Sequence, residues 1–305
     1  MARKPIKYCL VDTFTETPFK GNPSAVCLLE EDDKDENWLQ NVAREFNQAV
    51  TSYLTQLKPH HFPSDQLSNG AAVARFRLRW FTRDGEEVIY THTHTHIYVY
   101  KFFKVIVGDY LQISICGHAT LAASHFLLAH IVPNCDTIEL STMSGRLISR
   151  RIPNDAVSGT FSTEMNFPVL PLVEYGASEI STVSKILNGC LQSGEGVKEV
   201  EPQIDAIRKY PARGIIITGP APSGSDFDFY SRFFCPNLGA DEDHVCGSSH
   251  CALALYWCQR LGKHDFVSYY ASKRSGVINL HLDEKNQRVL IRGNAVTVME
   301  GSVLV

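Results

Sequence analysis

This 305-residue chain has no excess of positive charge: 29 Lys and Arg face 33 Asp and Glu, a formal net charge of −4. That balance gives no electrostatic grip on nucleic acid or on an anionic membrane, so neither is expected as a partner. No apolar run reaches the length of a membrane span. A signal-peptide core is missing as well, because Met1-Ala2-Arg3-Lys4-Pro5 runs straight into a strand pattern. Nor is there a disulfide framework. The nine cysteines are odd in number and irregularly spaced, which reads as thiols in a reducing cytosol. The expectation is a cytoplasmic protein, long enough for two domains with cores of their own.

What the chain does contain is a motif that occurs twice. Cys116-Gly117-His118-Ala119-Thr120-Leu121-Ala122 in the first half is matched by Cys246-Gly247-Ser248-Ser249-His250-Cys251-Ala252 in the second. Each places a Cys-Gly pair at the start of an apolar helical pattern. Unpaired backbone N–H groups and the positive end of the helix dipole make such a position an anion site. The same field would stabilise a thiolate. Two such sites facing each other would grip a small carboxylate with a thiol on either side, as a cofactor-free racemase or epimerase requires.

Elsewhere the pattern is mostly strand. Residues 6–14 and 23–29 read as strands joined by the turn Pro18-Phe19-Lys20-Gly21-Asn22-Pro23. Asp35 to Asn47 predicts an amphipathic helix with Leu39, Val42, Ala43 and Phe46 on one face. Strands are predicted at 51–57, 74–82, 158–167, 213–218, 227–234, 266–272, 276–282, 288–292 and 295–304. A hairpin is signalled at Ser144-Gly145, and helices at 178–189, from Cys116 to about His130, and from Gly247 to about Leu261. Many strands with one apolar helix per half predict two sheets, each wrapped around a central helix.

Residues 88–112 break this pattern. Thr91-His92-Thr93-His94-Thr95-His96 is followed by Ile97-Tyr98-Val99-Tyr100. Three histidines at alternate positions of a strand would share one face and suit a metal. An exposed polar loop is the plainer reading. The third is translated intron: a CA repeat encodes Thr-His, valine codons begin with GT, and one glutamine codon is CAG. Excision from Val88 to Gln112 would join Glu87 to Ile113. The intron reading is preferred to the metal site, and the stretch Tyr98 to Val107 retains the ability to pair as an edge strand.

These motifs carry a resemblance. Val11-Asp12-Thr13-Phe14, Pro18 to Pro23, Ala43-Arg44-Glu45-Phe46-Asn47, Leu78 to Thr82, Cys116 to Thr120, Ser231-Arg232-Phe233-Phe234 and Glu242 to His250 resemble the PhzF, or phenazine-biosynthesis-like, family. The resemblance implies an α+β protein of the diaminopimelate epimerase fold, with two similar lobes, each a barrel-like sheet around a central helix. It also implies an active site in the cleft between them and a homodimer. The first lobe is expected at 1–135, with 84–112 as an atypical insert and 295–305 returning to it; the second is expected at 136–294.

Residue by residue, the carry-over is uneven. The family follows Phe-Asn with a Ser-Glu-Thr-like motif whose glutamate is the proton-transfer base. Here Val50 stands in its place, and Glu45 reads as an exposed helical charge rather than a substitute. The second-lobe Glu-Asp-Pro-x-Thr-Gly-Ser motif appears as Glu242-Asp243-His244-Val245-Cys246-Gly247-Ser248. Cys116 and Cys246 match the cysteine positions of epimerases and racemases of this fold. Taken singly, each is also readable as a small buried hydrophobe; the pair in register argues for chemistry. The expected catalytic set is therefore Cys246, Cys116, Asp243 and His118. Asn22, Gly117, Gly247 and Ser248 are expected to bind substrate. His244, Cys246, His250 and Cys251 do not follow the spacing of a zinc knuckle. The resulting expectation is a cofactor-independent isomerase moving a proton on a small carboxylate metabolite. Because valine accepts no proton, a binding protein that has lost catalysis is the rival. A thiol hydrolase using Cys246 and His118 is a weaker third, lacking a group to orient the base.

Overall fold

The computed structural model describes residues 5–31, 34–57, 73–83, 97–99, 105–108, 115–143, 145–154, 158–174, 185–187, 193–210, 212 and 214–304. The expected histidine run 91–96 and most of the expected helix 178–189 lie outside them. Contacts divide the chain into two compact units: Met1–Ile89, Ser114–Asn166 and Arg292–Val305 form one, Tyr90–Ile113 and Phe167–Ile291 the other.

In the first unit, β1 (Ile6–Thr13) and β2 (Asn22–Leu29) form an antiparallel pair, with Thr13 opposite Asn22. The turn between them needs Gly21, which has φ +64; a Cβ there would strike the Thr13 carbonyl. Asp12 holds the same turn by accepting from the Phe19 N–H at 2.6 Å. Helix α1 (Glu36–Phe46) carries the chain across to β3 (Val50–Gln56), which runs parallel to β2. Asp35 caps α1 by accepting from Trp38 N at 2.7 Å, and Asn47 ends it in the left-handed region.

Beyond β3 come β4 (Val73–Phe81, antiparallel), β7 (Thr137–Thr142, parallel to β4), β8 (Gly145–Pro153) and β9 (Phe161–Pro168). On the other side β16 (Ala295–Val303) pairs with β1. The sequence places the end of the first lobe at 135, whereas the contacts keep residues 137–166 in the first unit. The reason is β7, whose pairing with β4 draws the β7–β9 meander onto that sheet. Likewise the return point is 292 rather than 295.

Helix α2 (Gly117–Phe126) packs against β1, β2, β3 and β16 and is buried on every side, from Gly117 through Ser124. A helix apolar all round is a core helix. A π-helical turn, Leu127–Ile131, extends it.

In the second unit the strand order is β10 (Leu172–Glu174), β5 (Ile97–Val99), β6 (Val105–Gly108), β11 (Gly214–Pro220), β12 (Phe229–Phe234), β13 (Asp265–Tyr270), β14 (Gly276–Asp283), β15 (Arg288–Gly293). Strands β5 and β6 fall inside the segment read as intron, and they pair on both sides: β6 with β11, β5 with β10. The short helices α3 (Gly194–Glu199) and α4 (Ile204–Lys209) cover β11 through Val197, Val200, Ile207, Ile215, Ile217 and Phe234. The central helix α5 (His250–Leu261) is buried at 250–254 and 256–258. Phe229 stacks on Trp257 at 5.1 Å and 12°, and the Trp257 indole donates to Thr218 Oγ1 at 3.0 Å. Such an aromatic pair adds about 0.5–1.5 kcal/mol beyond its buried area.

Candidate functional site

Asn22, Cys116, Gly117 and His118 belong to the first unit; Asp243, Cys246, Gly247 and Ser248 belong to the second. In the first, Cys116 is the N-cap of α2, with extended backbone (φ −110, ψ 102). Its sulfur lies 3.6 Å from His118 Nδ1. Both side chains are buried, as is Asn22, whose backbone carbonyl accepts from Thr13 Oγ1 at 2.8 Å. The helix start that the Cys-Gly-His motif predicts is therefore present.

Strand alternation fixes where Val50 points. Tyr53 turns toward α1, donating its hydroxyl to the Leu39 carbonyl at 2.6 Å and packing with Cys27, Val42 and Phe81. Val50 and Ser52 are of opposite parity and face the other way. Glu45, exposed on α1, is thus on the wrong side of β3 to replace the glutamate that the resemblance implies at position 50. Val50 is 3% exposed. On its own face, Ser52 Oγ and the indole nitrogen of its cross-strand partner Trp80 are buried without hydrogen-bond partners among the described residues. Buried polar atoms left in that state each cost about 1–3 kcal/mol.

The second half-site is a pinned loop. Arg232 makes a bidentate pair with Glu242 (2.7 and 3.0 Å) and donates to the carbonyls of Val197, Lys198 and Val200, capping α3. The Asp243 N–H donates to Phe233 O at 3.0 Å. Ser272 Oγ donates to the His244 carbonyl. Cys246 Sγ lies 3.4 Å from Ser248 Oγ, and the Cys246 carbonyl accepts from Ser249 Oγ at 2.8 Å.

Here the sequence expectation needs correction. Helix α5 begins at His250 with Ser249 as its N-cap, not at Gly247. Residues 247–249 form a turn, so Cys246 sits before the helix rather than at its mouth. Its thiol is not stabilised as a thiolate. Burial pushes its pKa well above the usual cysteine range, and the charge of Asp243 raises it further. Desolvation of the sulfur outweighs the hydrogen bonding from Ser248 and Ser249 that favours the thiolate.

His250 is also accounted for. Its Nδ1 is 2.8 Å from the Cys246 carbonyl, which only accepts, so Nδ1 carries the proton. Nε2 then accepts from Ser268 Oγ at 2.9 Å. Burial lowers its pKa to about 4, keeping it neutral, and with both nitrogens engaged it has none to offer a metal. None of the described cysteines is in a disulfide.

Tyr270 was not expected. It is 0% exposed, its hydroxyl has no hydrogen-bond partner among the described residues, and burial followed by the charge of Asp243 pushes its pKa well up. Burial likewise pushes the Cys235 thiol up, and the charge of Asp243 adds to it. One carboxylate thus acts electrostatically on Cys246, Cys235 and Tyr270 together. No spacing signal marks Tyr270; it reads as one more strand aromatic.

Comparison with known proteins agrees with these motifs. Residues 11–93, 111–192 and 190–301 match the family described as phenazine biosynthesis-like protein, PhzC-PhzF, and the match breaks between 93 and 111. An uncharacterised isomerase of Halalkalibacterium halodurans is 32% identical over 97% of this chain and 97% of its own length. Phenazine biosynthesis-like domain-containing protein 1 of Mus musculus is 31% identical over 96% and 97%. Among solved structures, a putative phenazine biosynthesis PhzC/PhzF protein from Clostridium difficile is similar with a TM-score of 0.72 and 31% identity, covering 98% of this chain and 100% of that one. Its fold is the α+β, diaminopimelate-epimerase-like one, and the chain belongs to the PhzC-PhzF, phenazine biosynthesis-like, family.

Proposed function

We propose that the protein is an isomerase that moves a proton on a small carboxylate metabolite without a cofactor. The observation that carries this reading is the pinned loop 242–248. Four hydrogen bonds in three separate contacts hold it, and it carries Asp243 close enough to Cys246 and Tyr270 for its charge to act on both. With the family glutamate replaced by Val50, Asp243 is the carboxylate left to accept a proton. Cys246 serves as a neutral thiol, a donor rather than a base, which suits its raised pKa, and Cys116 keeps the catalytic role that the family resemblance implies. His118 keeps the role of hydrogen-bonding the substrate carboxylate or carbonyl, and Asn22, Gly117, Gly247 and Ser248 keep the substrate-binding roles, that the family resemblance implies. The homodimer, on family resemblance, and the cytoplasmic location, on the odd and irregularly spaced cysteines, remain part of this reading. Relatives named as isomerases support the class of reaction.

A second reading, a binding protein without turnover, is favoured by one observation, the buried apolar side chain at position 50. Incubation in deuterated water with a panel of small chiral acids separates the two. An isomerase incorporates deuterium at the labile carbon and loses this on Asp243→Asn. A binding protein shows ligand-induced thermal stabilisation with no exchange.

A further inference from the structure

We propose that Cys258, His264 and Glu284 form a zinc site in the second unit, outside the candidate active-site residues. Three different elements deliver the ligands. Cys258 is on the last turn of α5. Gly262, at φ +65, ends that helix, its N–H donating to the Cys258 carbonyl at 2.9 Å, and the reversal brings His264 back beside the helix end. Glu284 opens the turn between β14 and β15. That turn is fixed by Asn286 N donating to Asp283 Oδ1 at 3.0 Å and Gln287 Nε2 donating to the Glu284 carbonyl at 2.7 Å.

The donor atoms converge. His264 Nε2 is 3.1 Å from Glu284 Oε2, Cys258 Sγ is 4.0 Å from Glu284 Oε1, and all three donors lie within 4.8 Å of one another. Metal–ligand bonds of about 2.0–2.3 Å in tetrahedral geometry require ligand separations of roughly 3.3–3.7 Å; the separations of 3.1 and 4.0 Å lie close to that range, and the third, at most 4.8 Å, closes by about an ångström through rotation of the half-exposed His264 and Glu284 side chains. The chemistry of the set selects the ion. One thiolate, one imidazole and one carboxylate suit borderline-soft Zn²⁺, whereas Mg²⁺ and Ca²⁺ take oxygen ligands. Cys258 is 8% exposed, while the His264 and Glu284 side chains are 47% and 51% exposed, so water has access to the fourth position. A thiol binds a metal as thiolate, so uptake of the ion by Cys258 releases a proton. The ion would tie the end of α5 to the β14–β15 turn.

The test is a titration of the reduced, chelator-treated full chain with Co²⁺ alone, followed by Zn²⁺. One equivalent of Co²⁺ is expected to give thiolate-to-cobalt charge transfer and tetrahedral d–d bands, bleached by one equivalent of Zn²⁺. Zn²⁺ should raise the melting temperature and Mg²⁺ should not. Cys258→Ser should abolish the charge-transfer band and Cys246→Ser should retain it. His264→Ala and Glu284→Gln, at half-exposed positions where folding is not at risk, should each weaken affinity by about tenfold or more. Absence of a stoichiometric cobalt spectrum overturns the site. So does charge transfer that survives Cys258→Ser, or affinity unchanged in both surface variants.

Discussion

Val50 stands where the family resemblance implies a glutamate, and its face of the sheet carries buried polar groups. Ser52 Oγ and Trp80 Nε1 lie on its face of the sheet, buried and without partners among the described residues. Val50→Glu would put a carboxylate on that face, where those donors offset part of the cost of burying it. Solvent proton exchange into the substrate is expected to rise by about 10²–10⁴-fold, the usual worth of a positioned base. Exchange in the variant no faster than in the parent counts against a family-type site. His250 gives a prediction about stability. Its folded pKa is near 4 and its ordinary value is 6.5, so the unfolded chain binds the extra proton between those limits. Stability is therefore complete above pH 6.5 and falls as pH drops toward 4, by roughly 3 kcal/mol in all. Urea unfolding across that range should show the slope, and His250→Gln should flatten it by one proton. As a residue, His250 was visible in the sequence only as one member of a His/Cys group. Its neutral, structural role depends on Ser268, eighteen positions away, which no local pattern connects to it.

At the scale of elements, the Arg232–Glu242 pair is what fixes the loop carrying Asp243. The Arg232 and Glu242 side chains are 11% and 20% exposed. Arg232→Ala leaves Glu242 uncompensated and uncaps α3, so a loss of about 3–5 kcal/mol is expected in chemical denaturation. A loss below about 1 kcal/mol would mean the loop is held by its other contacts. Helix α1 was legible nearly to the residue, because Asp35 caps it, Asn47 ends it, and Leu39, Val42 and Ala43 repeat at helical spacing. The start of α2 was legible for the same kind of reason. The start of α5 was not. Cys246-Gly247 looks like Cys116-Gly117, but the turn at 247–249 delays the helix by one turn, and burial reverses the thiol chemistry that position suggested. Helices α3 and α4, six residues each, are too short for periodicity to reveal.

Across the whole chain, the division of labour follows strand pairing more than sequence position. The meander 137–166 joins the first unit because β7 finds β4, a long-range pairing that no boundary signal announces. The segment read as intron tells a parallel story. Its odd composition was plain, and the family match does break between 93 and 111, yet its described strands sit between β10 and β11. Pairing along that path makes β10 parallel to β11, so removing β5 and β6 leaves two strands in an orientation that can pair directly. Deleting Val88 to Gln112 is therefore expected to keep the far-ultraviolet circular dichroism of the parent and a melting temperature at or above it; a deletion variant that is unfolded shows the hairpin to be structural. The most direct test of the proposed chemistry is mass-spectrometric deuterium incorporation into small chiral carboxylates, comparing the parent chain with Asp243→Asn. Incorporation by the parent, reduced about 10²-fold or more in the variant, is the predicted result. No incorporation by the parent, or incorporation equal in both, contradicts it.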